Sequence, residues 1–464
     1  MNPLALEFKK RATASVADVN RRKLVLTALS KFEVKRNEKV AQFKNWQKGR
    51  ELAAALKWDA LENLAENLEL LVNNLEKNGA KVHWAATGEE AKNIIASIAK
   101  EKNAKLIVKS KAMTAEEIHL NEALEKQGFE VVETDLGEFI VQLRNEPPYH
   151  IVFPAMHLTR YEISDLFSEK LKSQPTDKAE ELTMIARRVL RDKYIRADIG
   201  ITGGNFAVAE LGAISITENE GNARLTAALP RVMITLIGIE KVVRRMEDLA
   251  LFLPMLATAG AAQTISGYNT LYSGPRKSDE IDGPEEYHVV LLDNGRTELL
   301  ADPVERDALR CIRCGACLNV CPIYKTIGGH AYGTTYCGPI GAVITPRMRG
   351  IEDWQHLSYA SSLCGACTEI CPVKIDLHHH LLKNRRIAGT KTPVWWQKTA
   401  FKIYAKISNS PTLWSLMTKF GRLGQKLHPL IKGTKLDPAY AWTKNRDLPP
   451  IAKQTFKEWW RMRK

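Results

Sequence analysis

The chain has 464 residues, 45% of them hydrophobic and 26% charged, with a formal net charge of +14. That composition describes a globular protein long enough for two or three domains. It argues against a small secreted disulfide scaffold, because all eight cysteines fall within residues 311–371 of a long chain.

The N-terminus carries Glu7, Lys9 and Lys10 with no apolar stretch after them, which is not an export signal. Residues 1–78 read as helices. Leu61, Leu64, Leu68, Leu71, Val72 and Leu75 mark one amphipathic run.

From residue 79 the pattern changes to alternating strands and helices. Strands are expected at 81–84, 106–108 and 129–132. Thr87 is placed to cap a helix with Glu89 and Glu90 in its first turn, and Thr114 to open another with capping-box spacing to Glu117. The alternation predicts an α/β domain with a largely parallel sheet, ending near Gly295.

Two segments of this domain carry polar residues suited to chemistry. Lys109, Ser110 and Lys111 follow a strand and precede Glu133, Asp135 and Glu138, and open α/β sheets take ligands beyond strand ends. Gly200, Gly203, Gly204 and Asn205, continuing to Asn219, Asn222 and Arg224, allow close backbone approach and offer an Arg beside carboxamides. The first segment reads equally as solvated loops, and the glycines of the second equally as packing. No Gly-x-Gly-x-x-Gly fingerprint is present. His157, His288 and the run His378, His379, His380 supply imidazoles but no catalytic pattern.

Residues 249–275 hold no charge. The apolar part is shorter than the roughly 20 residues of a membrane span, and Pro254 interrupts it. A buried helix running into a Gly-rich loop is expected.

The cysteines form two halves, each ending in Cys-Pro. The first is Cys311-x2-Cys314-x2-Cys317-x3-Cys321-Pro322, the second Cys364-x2-Cys367-x3-Cys371-Pro372, with Cys337 between them. Three closely spaced thiolates wrap one [4Fe–4S] cluster, and the fourth points to a second cluster. Cluster 1 is therefore assigned to Cys311, Cys314, Cys317 and Cys371. Cluster 2 takes Cys321, Cys364 and Cys367. The symmetric position for its fourth ligand is Ser361, so Cys337 fills the vacancy; the alternative is a free Cys337 and a [3Fe–4S] centre. Zinc favours paired Cys-x2-Cys units and matches this run less well. Arg313 and Lys374 are placed to raise the cluster potentials. Thiolates free to hold clusters suit a reducing cytoplasm.

Residues 391–464 hold 16 Lys and Arg against Asp437, Asp447 and Glu458, and six of the ten tryptophans. Trp396, Ala400, Ile403, Tyr404 and Ile407 follow helical spacing, as do Leu413, Leu416, Met417 and Phe420. Basic amphipathic helices bearing tryptophan suit an anionic membrane surface or an acidic partner. A tail packed on its own domain fits as well, and no nucleic-acid motif accompanies the charge.

Residues 109–143, residues 197–225 and the cysteine block together resemble the lactate-utilisation protein B family. That resemblance implies a LUD domain similar to the sugar-phosphate isomerase and CoA-transferase group. It also implies a two-cluster ferredoxin-type module and two partner subunits in a system oxidising L-lactate to pyruvate. The division expected is a helical region at 1–78, the LUD α/β domain at 79–296, the α-rich ferredoxin-type module at 297–390 and a basic helical region at 391–464. An electron-transfer subunit is the reading this supports. Its alternatives are a LUD domain that itself oxidises lactate, and a redox sensor or scaffold.

Overall fold

The mostly apolar segments Leu106–Lys109, Ile199–Thr202, Val232–Gly238 and Glu286–Leu292 become strands buried on both faces, as the interior of a parallel sheet requires. The computed structural model describes residues 2–392, 395–434, 437, 440–443, 446–447 and 449–463. In chain order the strands are β1 (Lys81–Ala85), β2 (Leu106–Lys109), β3 (Glu130–Glu133), β4 (Ile199–Thr202), β5 (Phe206–Val208), β6 (Ala213–Glu218), β7 (Val232–Gly238), β8 (Val242–Val243), β9 (Tyr268–Tyr272) and β10 (Glu286–Leu292). Six of them form an all-parallel sheet in the order β1-β10-β7-β4-β2-β3. A smaller mixed sheet runs β8-β5-β6-β9.

Alternation divides the sheet between two cores. Val290, Leu292, Ile234 and Leu236 face one side with Ile95 and Leu124. Val289, Leu291, Met233 and Ile237 face the other, against Leu68, Leu71 and Leu75 of the helix Leu64–Lys77. Gly200 in β4 permits one close approach: a Cβ there would lie 1.8 Å from the Thr226 carbonyl oxygen of the helix Asn222–Ala228.

Residues 1–388 form one compact unit and 389–464 a second. Within the first, Val25 and Leu29 of the helix Val19–Gln42 share a core with Cys314, Cys317, Leu318 and Tyr324. The second unit holds the helices Trp395–Ser408 and Pro411–Leu427, neither with a buried residue. Trp396, Ile403, Tyr404, Leu416, Met417 and Phe420 are all exposed. No helix among the described residues is long and apolar enough to cross a membrane.

Three local expectations change. The run from Leu61 to Leu75 is two helices, Trp46–Glu62 and Leu64–Lys77, separated at Asn63, whose side-chain amide donates to the Asp59 carbonyl at 3.0 Å. Thr114 does not cap: the short helix Met113–Glu117 begins one residue earlier, after extended Ala112, and Thr114 lies buried inside it. The stretch after the helix Leu249–Ala261 contains β9, an edge strand paired with β6, where a loop was expected. Tyr268, Thr270 and Tyr272 give it strand character that nearby Gly267 and Gly274 obscure. Thr87 does cap, accepting from the Glu90 amide at 3.2 Å.

Candidate metal centre

The two cysteine halves fold alike because they share the tetrapeptide Cys-Gly-Ala-Cys, at residues 314–317 and 364–367. In each, the residue before the first cysteine (Arg313, Leu363) and the following glycine (Gly315, Gly365) have positive φ. A five-residue helix then begins at the alanine, Ala316–Val320 or Ala366–Ile370, and stops at the Cys preceding proline. In the first half the left-handed turns bring Cys311, Cys314 and Cys317 to one cavity. Glycine tolerates that conformation freely, while Arg313 and Leu363 hold it against an intrinsic penalty.

Cys311, Cys314, Cys317 and Cys371 line one small cavity whose other walls include Ile151, Ile340, Val373, Ile375 and Leu377. Backbone amides point at the sulfurs: Arg313 N–H donates to Cys311 Sγ at 3.4 Å, Ile375 N–H to Cys371 Sγ at 3.4 Å and Tyr324 N–H to Cys321 Sγ at 3.5 Å. Burial raises the thiols and they raise one another, with Cys367 of the second half also acting on Cys317 of the first. Cys311 and Cys371 add to burial in raising Cys314, and burial with Cys311 pushes Cys371 up to about 11. Separately, burial with Cys321 and Cys364 pushes Cys367 up to about 12. Buried thiols crowded this way resist ionisation alone and favour a bound cation that takes them as thiolates. An apolar, amide-lined ring of four thiols fits an iron–sulfur cluster.

Cys337 is 3% exposed and sits just before the helix Gly338–Met348. Its thiol donates to the Tyr149 carbonyl at 3.9 Å. Burial pushes it up to about 12, with no other thiol contributing. Tyr332 connects the two neighbourhoods, since Cys321, Cys337 and Cys317 all act on its buried hydroxyl.

Behind the Cys311 loop lies a buried charge network that the sequence did not reveal. Arg296 pairs with Glu117 at 2.7 Å and with Glu240 at 2.5 Å, and the Arg313 Nη2 reaches Glu240 at 3.4 Å. Burial alone opposes ionisation of Glu240, but Arg296 and Arg313 outweigh it and hold the carboxyl at about 2. Lys57, 2% exposed, donates to the carbonyls of Glu240 and Val242 at 2.6 and 3.1 Å. Arg313 also lies 4.3 Å over the Tyr336 ring. Lys374 is half exposed and pairs with Glu51 at 3.5 Å. Isolated polar residues at buried positions leave no periodic signal. Only their occurrence inside apolar runs, as with Lys57 between Leu56 and Trp58, hints at them.

The two polar segments of the sheet domain come together at its carboxyl edge. Lys109 is fully buried between Glu133 at 2.6 Å and Glu116 at 3.0 Å. Lys111 points the other way and donates to the Val152 carbonyl at 2.9 Å. Gly203, Gly204 and Asn205 line the same cavity as Lys111. The histidines hold structure together. His157 bonds Glu146 at 3.0 Å, His288 bonds His83 at 3.0 Å, and His380 bonds Asp307 at 2.9 Å. His378 bonds Thr368 at 2.8 Å and His379 bonds Asp376 at 2.6 Å.

Comparison with known proteins matches three regions of the chain. Family models match for the LUD domain over residues 68–292, a 4Fe-4S dicluster domain over 307–375 and the Lactate utilisation protein B C-terminal region over 376–464. Lactate utilization protein B of Oceanobacillus iheyensis is 44% identical over 462 residues, covering 98% of this chain and 96% of that one. The Bacillus subtilis protein of the same name is 43% identical, covering 97% and 95%. Lactate utilization protein B 1 of Bacillus mycoides is 46% identical, with the same shares. A solved DUF162 family protein from Deinococcus radiodurans covers 49% of this chain and 98% of its own, at 15% identity and a TM-score of 0.28.

Proposed function

This chain belongs to the lactate utilization protein B family, and from that premise we propose that it is an electron relay with a defined set of cluster ligands. It is an iron–sulfur subunit of lactate utilisation with two [4Fe–4S] clusters, the number suited to a dicluster domain. A [4Fe–4S] cluster exchanges single electrons at a potential set by charge, hydrogen bonds and exposure, whereas oxidation of lactate to pyruvate releases two.

The observation that carries the ligand assignment is the cavity ringed by Cys311, Cys314, Cys317 and Cys371. These four hold cluster 1. Cys321, Cys364 and Cys367 hold cluster 2, and Cys337, the remaining thiol, is its fourth ligand. The chain's own contributions are sulfurs held by backbone amides, apolar walls that exclude water, and buried Arg313 beside the loop. A buried cation next to a negatively charged cluster favours the reduced state and raises its potential.

The partners are other lactate-utilisation subunits. Two of them complete the system, and the chain works in the cytoplasm. The basic helices of residues 391–464, with exposed tryptophans on their apolar stripes, serve as the docking element against an anionic membrane surface.

The test is anaerobic addition of L-lactate to the cluster-loaded chain, alone and with its partners, followed by visible absorbance and EPR. Reduction that requires the partners supports the relay. Reduction of the chain by itself would move the oxidation of lactate into the LUD domain.

A further inference from the structure

A cavity of about 520 Å³ opens at the carboxyl edge of the parallel sheet. Its wall includes Ser110 and Lys111, which follow β2, and Gly203, Gly204 and Asn205, which follow β4. β2 and β4 are neighbours, but the chain leaves β2 toward β3 on one side and leaves β4 toward β7 on the other. That divergence is a topological switch point, the crevice where open α/β sheets take their ligands. The volume lies within the roughly 300–1,000 Å³ typical of small-molecule sites. Across the cavity stand Arg313 and Cys314, from the loop assigned to cluster 1.

The wall carries both cations and carboxylates. Lys241 is 7% exposed and makes no hydrogen bond or ion pair among the described residues. Arg313 is 9% exposed, and its Nε and Nη1 have no partner. Lys111 adds a third positive charge, though it donates to the Val152 carbonyl and lies 4.0 Å from Asp135, and Asp135, Glu218 and Glu220 stand in the same wall. Arg313 Nη2 reaches Glu240 at 3.4 Å, so Lys241 is the wall cation with no hydrogen bond or ion pair among the described residues, and burying an ammonium that way is costly. Cluster thiolates act on Arg313 and Lys241 from behind, yet the cavity in front of them remains open. Leu136, Ile140, Phe153, Met156 and Leu256 make much of the remaining wall apolar.

We propose that this cavity is a binding site for an organic anion, its phosphate or carboxylate group held by Lys241, Arg313 and Lys111 and its body lying against the apolar wall, one side chain away from Cys314. The site goes beyond the relay function and needs no lactate turnover to be observed, so its failure would leave the relay standing.

The probes are flavin mononucleotide, a phosphate ester on an aromatic body, and pyruvate, a bare carboxylate. Each is titrated calorimetrically and anaerobically into the cluster-loaded full chain, with and without excess inorganic phosphate. Saturable one-to-one binding of flavin mononucleotide identifies a phosphorylated ligand, and binding of pyruvate a simple carboxylate; either supports the site. Lys241→Met should weaken that binding about ten- to a hundredfold, the range for one charge-assisted hydrogen bond. Ala261→Phe, which fills the cavity and keeps its cations, should abolish it with both cluster spectra unchanged. Should Ala261→Phe fail to load clusters, Lys241→Met decides alone. No saturable binding of either probe, or binding indifferent to these substitutions, overturns the proposal.

Discussion

At the scale of single residues, the cysteines differ more in their neighbours than in their burial. Cys314, Cys317, Cys321, Cys337, Cys367 and Cys371 are all below 9% exposed, so burial does not separate ligands from ordinary core thiols. These cysteines differ in whether another thiol acts on them, and Cys337 is the one buried cysteine on which none does. If it is the fourth ligand of cluster 2, Cys337→Ser should convert that cluster to a three-iron form with its own EPR signature and leave cluster 1 unaltered. An unchanged four-iron spectrum at both sites would exclude the ligand role and leave Cys337 as a core thiol hydrogen-bonded to Tyr149.

At the scale of elements, the sheet domain is held by close approaches between a strand and what covers it. Gly200→Ala should destabilise the fold by about 1–3 kcal/mol, the usual range for overpacking, because the added methyl meets the backbone oxygen of Thr226 rather than a movable side chain. Denaturant unfolding measures it. A second joint ties the N-terminal helices to the domain: Arg21 Nη2 donates to Glu162 Oε1 at 2.6 Å, and Glu162 also closes the capping box of the helix Arg160–Leu171. The Arg21 hydrogen bond is the leading cause that holds Glu162 down at about 2, below its ordinary 4.5. A carboxyl depressed in the folded state contributes stability that is present above pH 4.5 and lost as pH falls toward 2. Glu162→Gln should therefore flatten the acid limb of melting temperature against pH across that window and lower stability at pH 7. An unchanged acid limb would mean that the pair is screened by water at this half-exposed position.

At the scale of the whole molecule, charge and apolar exposure are concentrated in one terminal segment. Residues 391–464 hold 16 basic residues against three acids, and Trp395, Phe401 and Phe456 are each more than 70% exposed. Aromatic residues in that state bury apolar area when they meet a membrane interface, and neighbouring lysines add attraction to anionic lipid. Deletion of residues 391–464 should abolish co-sedimentation of the chain with vesicles of anionic phospholipid and leave the cluster spectra in place. Sedimentation that survives the deletion would assign the tail to a protein partner.

The cysteine spacing, the parallel α/β pattern and the basic tail were legible in the sequence because each is a local regularity. A thiolate loop needs ligands at fixed short intervals, a buried strand needs an apolar run, and an amphipathic helix needs its 3.6-residue period. The neighbourhood of Cys337 was not legible, since only the path of the chain between residues 321 and 364 decides which side chains it meets. Nor were Lys57, Arg296 and Arg313 readable as one group with Glu117 and Glu240. They are single residues drawn from five elements and loops, and it is the folded core, where an unpaired charge is expensive and a pair is held by shape, that brings them together. The cavity between the sheet edge and the Cys314 loop belongs to the same class: its wall spans residues 110 to 336, and tertiary structure alone assembles it.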